Sequence, residues 1–124
     1  MPITLAIAAG GAFGALARYG VDRFVSLRSA AVFPWGTFVV NVSGCLLVGF
    51  LVGGIVDRHS APAWLRAALI VGFCGAYTTF STFAQETTSL ADARDYAVAL
   101  ANVTASVVVG FAAVLLGQAA GRLL

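Results

Sequence analysis

The sequence predicts an all-α membrane protein with four transmembrane helices in each subunit, and three observations carry that expectation. Of 124 residues, 60% are hydrophobic and only 10% charged, against about 25% charged in a soluble domain. The mean hydropathy is +0.97. Apolar runs at approximately 3–19, 36–56, 63–84 and 96–120 are separated by short polar connections, and a helix needs about 20 predominantly apolar residues to cross hydrocarbon. Residues 1–124 are therefore expected to form one four-helix domain surrounded by membrane lipid. Four helices alone enclose little polar interior, so association into a homo-oligomer is expected.

The first span runs from Ile3 to Tyr19. It lacks a basic leading segment and a clean cleavage context, so it reads as a retained helix rather than a signal peptide. Gly10 and Gly14, like Gly11 and Ala15, sit four apart and allow another helix to approach closely. Arg18 ends the run, where its side chain either snorkels to headgroups or points into an aqueous vestibule. Asp22, Arg23 and Arg28 mark a polar loop, and Pro34-Trp35-Gly36-Thr37 restarts the chain with an interfacial aromatic.

The second span, Gly36 to Val56, is interrupted by Asn41 and Ser43. Asn41-Val42-Ser43 has the form of a glycosylation sequon, but an acceptor inside a membrane span is out of reach, so Asn41 needs an internal partner. The connection Asp57-Arg58-His59-Ser60-Ala61-Pro62 holds the one histidine, which has no second ligand at metal spacing and is expected to be solvated. The third span covers Ala63 to Ala84, and Gln85 to Asp95 forms the next loop. In the fourth span, Tyr96 to Ala120, Asn102, Thr104 and Ser106 break the apolar pattern. Tyr96, Thr104 and Ser106 either form part of a polar track or, for the hydroxyls, bond back to carbonyls of their own helix. Cys45 and Cys74 lie in different spans and form no C-x-x-C pair, so they read as small packing residues.

All seven positive side chains are arginines, and the net charge of +2 is scattered, which gives no nucleic-acid footprint. With four spans, Arg58, Arg66 and Arg122 share the face of the N-terminus while Arg18, Arg23, Arg28 and Arg94 lie on the other. Three against four is nearly no positive-inside bias. A chain without bias inserts either way up, so dual topology and an antiparallel homodimer are expected.

The most unusual stretch is Gly72 to Phe83, where Gly75 precedes the hydroxyls Thr78, Thr79, Ser81 and Thr82. Gly75 relaxes the backbone, and the hydroxyls can satisfy groups freed by a break in the middle of the membrane. Such a break exposes carbonyls that suit a small hard cation and amides that suit an anion. Two features lean toward an anion. No carboxylate falls within the central part of a span, where a cation or proton carrier would keep one. Phe80 and Phe83, three apart, can turn positive ring edges toward an anion while Asn41 donates from another helix, although core packing of the two rings fits the spacing as well.

Three motifs carry a family resemblance. Gly36, Thr37, Asn41 and Gly44 make Gly-Thr-x-x-x-Asn-x-x-Gly, Gly72 to Phe83 make Gly-x-x-Gly-x-x-Thr-Thr-Phe-Ser-Thr-Phe, and Gly10 to Tyr19 form an opening Gly-Gly-Ala-Phe-Gly-Ala-Leu-Ala-Arg-Tyr. Together they resemble the Fluc (CrcB) fluoride channels along the whole chain, least distinctively in the fourth span. The resemblance implies a dual-topology homodimer with two antiparallel fluoride pores and a structural sodium ion between the subunits. It implies that the carbonyls of Gly75 and Thr78 hold the sodium and that Phe80 and Phe83 line the pore. It further implies that Asn41 donates to the ion, that Ser81 and Thr82 lie near its path with Thr79 beside them, and that Arg18 sits by the vestibule. Thr104 and Ser106 remain candidates for the pore. The chain departs from the family at Ala76, commonly a glycine there, and Ala tolerates positive φ poorly.

The function so implied is passive fluoride efflux from the cytoplasm of a microbe across its cell membrane, which lowers fluoride toxicity. A small dual-topology proton-coupled multidrug exporter is the alternative, although its chemistry wants a membrane-embedded carboxylate that the first span lacks. A purely structural subunit would not need the hydroxyl run. No Ser, His and carboxylate set lies within the spans, so the chain does not read as an enzyme.

Overall fold

The computed structural model describes residues 2–56 and 61–124; Asp57, Arg58, His59 and Ser60, and with them the expectation for the histidine, lie outside the described residues. The described residues form helices and no strand. Helix α1 is Ile3–Ser26. Helix α2 is Trp35–Val56, with a wider π-helical last turn at Val52–Val56. Helix α3 covers 63–77 and is π-helical over Ala67–Cys74. Helix α4 is Phe80–Asp92 and α5 is Tyr96–Arg122. Pro34 and Pro62 stand just before α2 and α3, where a missing amide costs no helical hydrogen bond. Four stretches are long and apolar enough to cross a membrane: Ile3–Ser26, Trp35–Val56, Ala63–Asp92 and Tyr96–Arg122.

Two parallel helix pairs make the frame. In one, α1 lies on α3, with Gly10 against the Ala68 carbonyl and Gly14 against that of Phe73. In the other, α2 lies on α5. There Gly49 and Gly53 of α2 meet the carbonyls of Val114 and Gln118, while Gly117 and Gly121 of α5 meet those of Leu46 and Phe50. A side chain at any of these glycines would collide with the opposing backbone. In lipid, where apolar surface gains little by leaving its surroundings, close backbone contact of this kind drives helix association.

The structure corrects two loops. Asp22 and Arg23 belong to α1 and not to a loop, because polar residues can continue a helix beyond hydrocarbon when they pair along its face. Arg23 donates to the Tyr19 hydroxyl at 3.3 Å and Ser26 to Asp22 at 3.3 Å. Of the expected loop Gln85 to Asp95, all but the last three residues are helical, and Arg94 turns the chain with a φ of 64°. Two polar residues of that segment, Glu86 and Thr87, bond neighbouring helices. Thr37 donates to Glu86 at 2.9 Å, and Asn102, only 1% exposed, donates to Thr87 at 2.9 Å.

Candidate functional site

Between α3 and α4 the chain carries two residues in extended conformation, Thr78 (φ −81°, ψ 157°) and Thr79 (φ −148°, ψ 111°). Gly75 and Ala76, by contrast, are helical. Arg94 is the one non-glycine with positive φ among the described residues, so Ala76 meets no conformational penalty. The interruption therefore comes from side-chain competition at Thr78 and Thr79 and not from glycine flexibility.

That competition can be followed atom by atom. Asn41 of α2 pairs with the peptide of Thr79 on both sides: its Nδ2 donates to the Thr79 carbonyl at 3.0 Å, and its Oδ1 accepts from the Thr79 amide at 2.8 Å. In an unbroken helix that amide would serve the Gly75 carbonyl four residues back. The amide of Thr82, which would serve Thr78, donates instead to Thr79 Oγ1 at 3.2 Å, capping α4 in the usual manner of a threonine. The Thr79 hydroxyl passes its own proton to Thr82 Oγ1 at 3.0 Å and so accepts from Ser81 at 3.3 Å. The carbonyls of Gly75 and Thr78 thus lose their helical donors together, and the first amides of α4 begin a new helix N-terminus. Chemically, released carbonyls suit a cation, and helix-start amides suit an anion.

Neighbouring contacts brace the interruption. Thr78 Oγ1 donates to the Cys74 carbonyl at 2.9 Å, as an ordinary back-bond. Ser43 gives its proton to the Val40 carbonyl at 3.1 Å, so the 2.8 Å contact between Ser43 and Tyr77 is a bond from the tyrosine hydroxyl. Gly44 leaves room for the Thr78 methyl and the Tyr77 ring. Arg18 of α1 reaches the Thr78 carbonyl at 3.5 Å.

Two cavities flank Thr79. The larger, about 430 Å³, brings together Asn41, Gly75, Thr78, Phe80, Phe83 and Ser106. The Phe80 and Phe83 rings stand 5.7 Å apart at 46°, and Phe80 is 80% exposed, so this cavity borders the subunit surface. The smaller, about 230 Å³, is lined by Arg18, Tyr19, Asp22, Thr37 and Thr82, and Thr79 borders both. Ser81 is exposed at the surface beside Thr79. Of the fourth-span candidates, only Ser106 joins the larger cavity, its hydroxyl donating to Asn102 at 3.3 Å. Thr104 and Tyr96 are exposed on α5 and line none of the described cavities.

Sequence reasoning left Glu86 outside the third span, whereas it lies on α4 within Ala63–Asp92. One of its oxygens accepts from Thr37, and the other is buried without a partner. The available signal was that Thr37, a hydroxyl at the polar start of α2, needs an acceptor when buried to 4% exposure.

Proteins of similar sequence place the chain in a family. A family model described as "CrcB-like protein, Camphor Resistance (CrcB)" matches residues 5–118. The "Fluoride-specific ion channel FluC 1" of Frankia casuarinae is 46% identical over 123 residues, covering 95% of each chain. The "Fluoride-specific ion channel FluC" of Solibacter usitatus is 44% identical over 118 residues, covering 95% of this chain and 97% of that one. The "Fluoride-specific ion channel FluC 2" of Mycobacterium bovis is 48% identical over 108 residues, covering 87% and 82%. With a match over residues 5–118, which takes in Asn41, the α3–α4 junction and nearly all of the four membrane-length stretches, the chain belongs to the CrcB family.

Proposed function

We propose that this multi-pass membrane protein is a fluoride-selective channel through which fluoride leaves the cytoplasm passively, and that it is not an enzyme. The observation that carries the reading is the Asn41–Thr79 pairing, which lies at an interruption between two cavities and sets the Asn41 amide in the same cavity lining as Phe80 and Phe83. Relatives named as fluoride-specific ion channels, similar over nearly the whole chain, supply the ion. Fluoride is small and strongly hydrated, so a narrow path must replace its water with several donors and ring edges while avoiding one tight site, which would block conduction. Helix-start amides at Phe80, the Asn41 amide, the Ser81 and Thr82 hydroxyls and Arg18 are donors of the right kind.

The reading includes a third helix interrupted partway across the bilayer and two subunits packed antiparallel with dual topology. Support for the second copy comes from Phe80, too exposed in one chain to line a closed path, and from the near absence of arginine bias between the two faces. A structural sodium ion fits the same site. Gly75 and Thr78, whose carbonyls have lost their helical donors, border one cavity, and the Arg18 guanidinium, 3.5 Å from the Thr78 carbonyl, would give up that contact to the ion. Bound there, sodium would supply positive field for an anion and tie the interrupted helices together.

Purified protein in liposomes loaded with fluoride and chloride tests the reading, with an ion electrode outside and a potassium ionophore to balance charge. Fluoride release without a proton gradient, with chloride retained, is expected. Retention of both ions would end the channel reading, and drug-dependent proton movement would replace it with the exporter.

A further inference from the structure

The two cavities that meet at Thr79 differ in charge. The larger has no charged side chain in its lining, whereas the smaller has two, Arg18 and Asp22. These stand four residues apart on α1, about 6 Å along its axis, yet their hydrogen bonds lead in different directions. Arg18 reaches across to the Thr78 carbonyl at 3.5 Å, while Asp22 accepts from Ser26 at 3.3 Å, one turn further along α1. The Asp22 carboxylate also rests on Gly36, where a Cβ would collide with its Oδ1. Gly36 is the second residue of α2, so the positive end of that helix favours the carboxylate where it lies. Ser26, Gly36 and the start of α2 thus hold a negative charge in the wall of the same cavity as Arg18.

We propose that Asp22 sets the rate of anion passage, its carboxylate opposing the field of Arg18 so that an anion entering the smaller cavity is not held there. The proposal rests on the channel reading and deepens it. Arg18 brings a full positive charge to the cavity, and the Thr82 hydroxyl, which accepts from Thr79, keeps its own proton to donate. Unopposed, that pair is a trap for a small anion, and a channel conducts only where binding is weak enough for the ion to leave. Asp22 stands within the screening length, about 10 Å at 0.1 M salt, of anything bound to the guanidinium. Its repulsion therefore reaches the same ion.

Initial fluoride release from liposomes, measured over a range of loaded fluoride, separates capture from departure. Asp22→Asn, of nearly the same shape, should lower the half-saturating fluoride by about 3-fold or more, and the saturated rate should fall with it because the ion is held longer. The difference should shrink as an impermeant salt is raised from about 0.1 M to about 1 M, where the screening length falls from about 10 Å to about 3 Å. Asp92→Asn makes the same change of charge at an exposed position of α4 outside the described cavities, and should leave both constants where they are. Asp22→Ser is the second variant should the amide disturb the seat on Gly36. A half-saturating fluoride that is unchanged or higher in both Asp22 variants, or a difference that salt does not reduce, would overturn the proposal and make Asp22 a strut between α1 and α2. With Cys45→Ala and Cys74→Ala in place, Thr82→Cys gives a measure that needs no transport. There Asp22→Asn should raise the rate of modification by an anionic methanethiosulfonate, relative to a cationic one, by about 3-fold or more, and an unchanged ratio would also overturn it. Wild-type liposomes that release no fluoride would sink the channel reading and leave that ratio to judge the field of Asp22.

Discussion

The α2–α5 pair and the α3–α4 junction solve the same problem in opposite ways. Both lie in stretches long and apolar enough to cross a membrane, and in hydrocarbon an unpaired peptide group costs several kcal/mol. α2 and α5 run without a break, and glycines at 49, 53, 117 and 121 bring the two helices together. At Thr78 and Thr79 the helix is left unfinished, and an amide from another helix with a run of hydroxyls completes the hydrogen bonding. The first region is frame, bound by close packing of glycines against backbone. The second has polar groups left over, and those leftovers are what an ion can use.

Substitutions should separate the two regions, and the largest effect belongs to the junction. Asn41→Asp keeps an acceptor for the Thr79 amide, loses the donor to the Thr79 carbonyl, and sets a negative charge in the path of an anion. Fluoride flux from liposomes should fall by about 100-fold, equivalent to about 2.7 kcal/mol, with the chain still assembled by size exclusion. Phe80→Ile and Phe83→Ile should each lower flux by about 10-fold, since an aliphatic side chain keeps the volume but removes the positive ring edge.

Gly117→Leu in the frame should behave the other way. Overpacking against the Leu46 carbonyl should cost about 1–3 kcal/mol of stability, read as a lower midpoint of thermal unfolding in detergent, while the protein that survives conducts at the wild-type rate per molecule. Thr79→Val removes the cap of α4 and should cost about 1 kcal/mol together with a measurable loss of flux, because cap and path are one residue. The smallest contrast lies on α5, where Ser106→Ala, inside the larger cavity, should alter flux more than Thr104→Val on the exposed face. Equal effects at 106 and 104 would mean that a second copy brings Thr104 to the path.

Much of the frame can be read from the chain alone, because apolar length and small residues four apart follow directly from helix geometry and lipid thickness. Asn41 also declares itself as a buried amide in need of a partner. Which peptide answers it is another matter. The partner, Thr79, is 38 residues away, and nothing local in Gly72 to Phe83 distinguishes Thr78 and Thr79 from Gly75 as the point where helical bonding stops. The extent of α1 and α4 was hidden for a similar reason. Asp22, Glu86 and Thr87 look like loop residues until Ser26, Thr37 and Asn102 are found beside them. The cysteines, read as isolated packing residues, converge on one cavity only after α2 and α3 are placed together.

The central claim is that the interruption sits inside the hydrocarbon and that its polar groups face an ion path. A density map of the assembled protein in a lipid nanodisc, with fluoride and sodium present, measures this most directly. It should show Thr78 and Thr79 extended at the depth of the acyl chains, the Asn41 amide on the Thr79 peptide, and the Phe80 and Phe83 rings turned toward a passage between two antiparallel copies. A continuous helix through those residues, or rings turned to lipid with Asn41 bonded elsewhere, would contradict it.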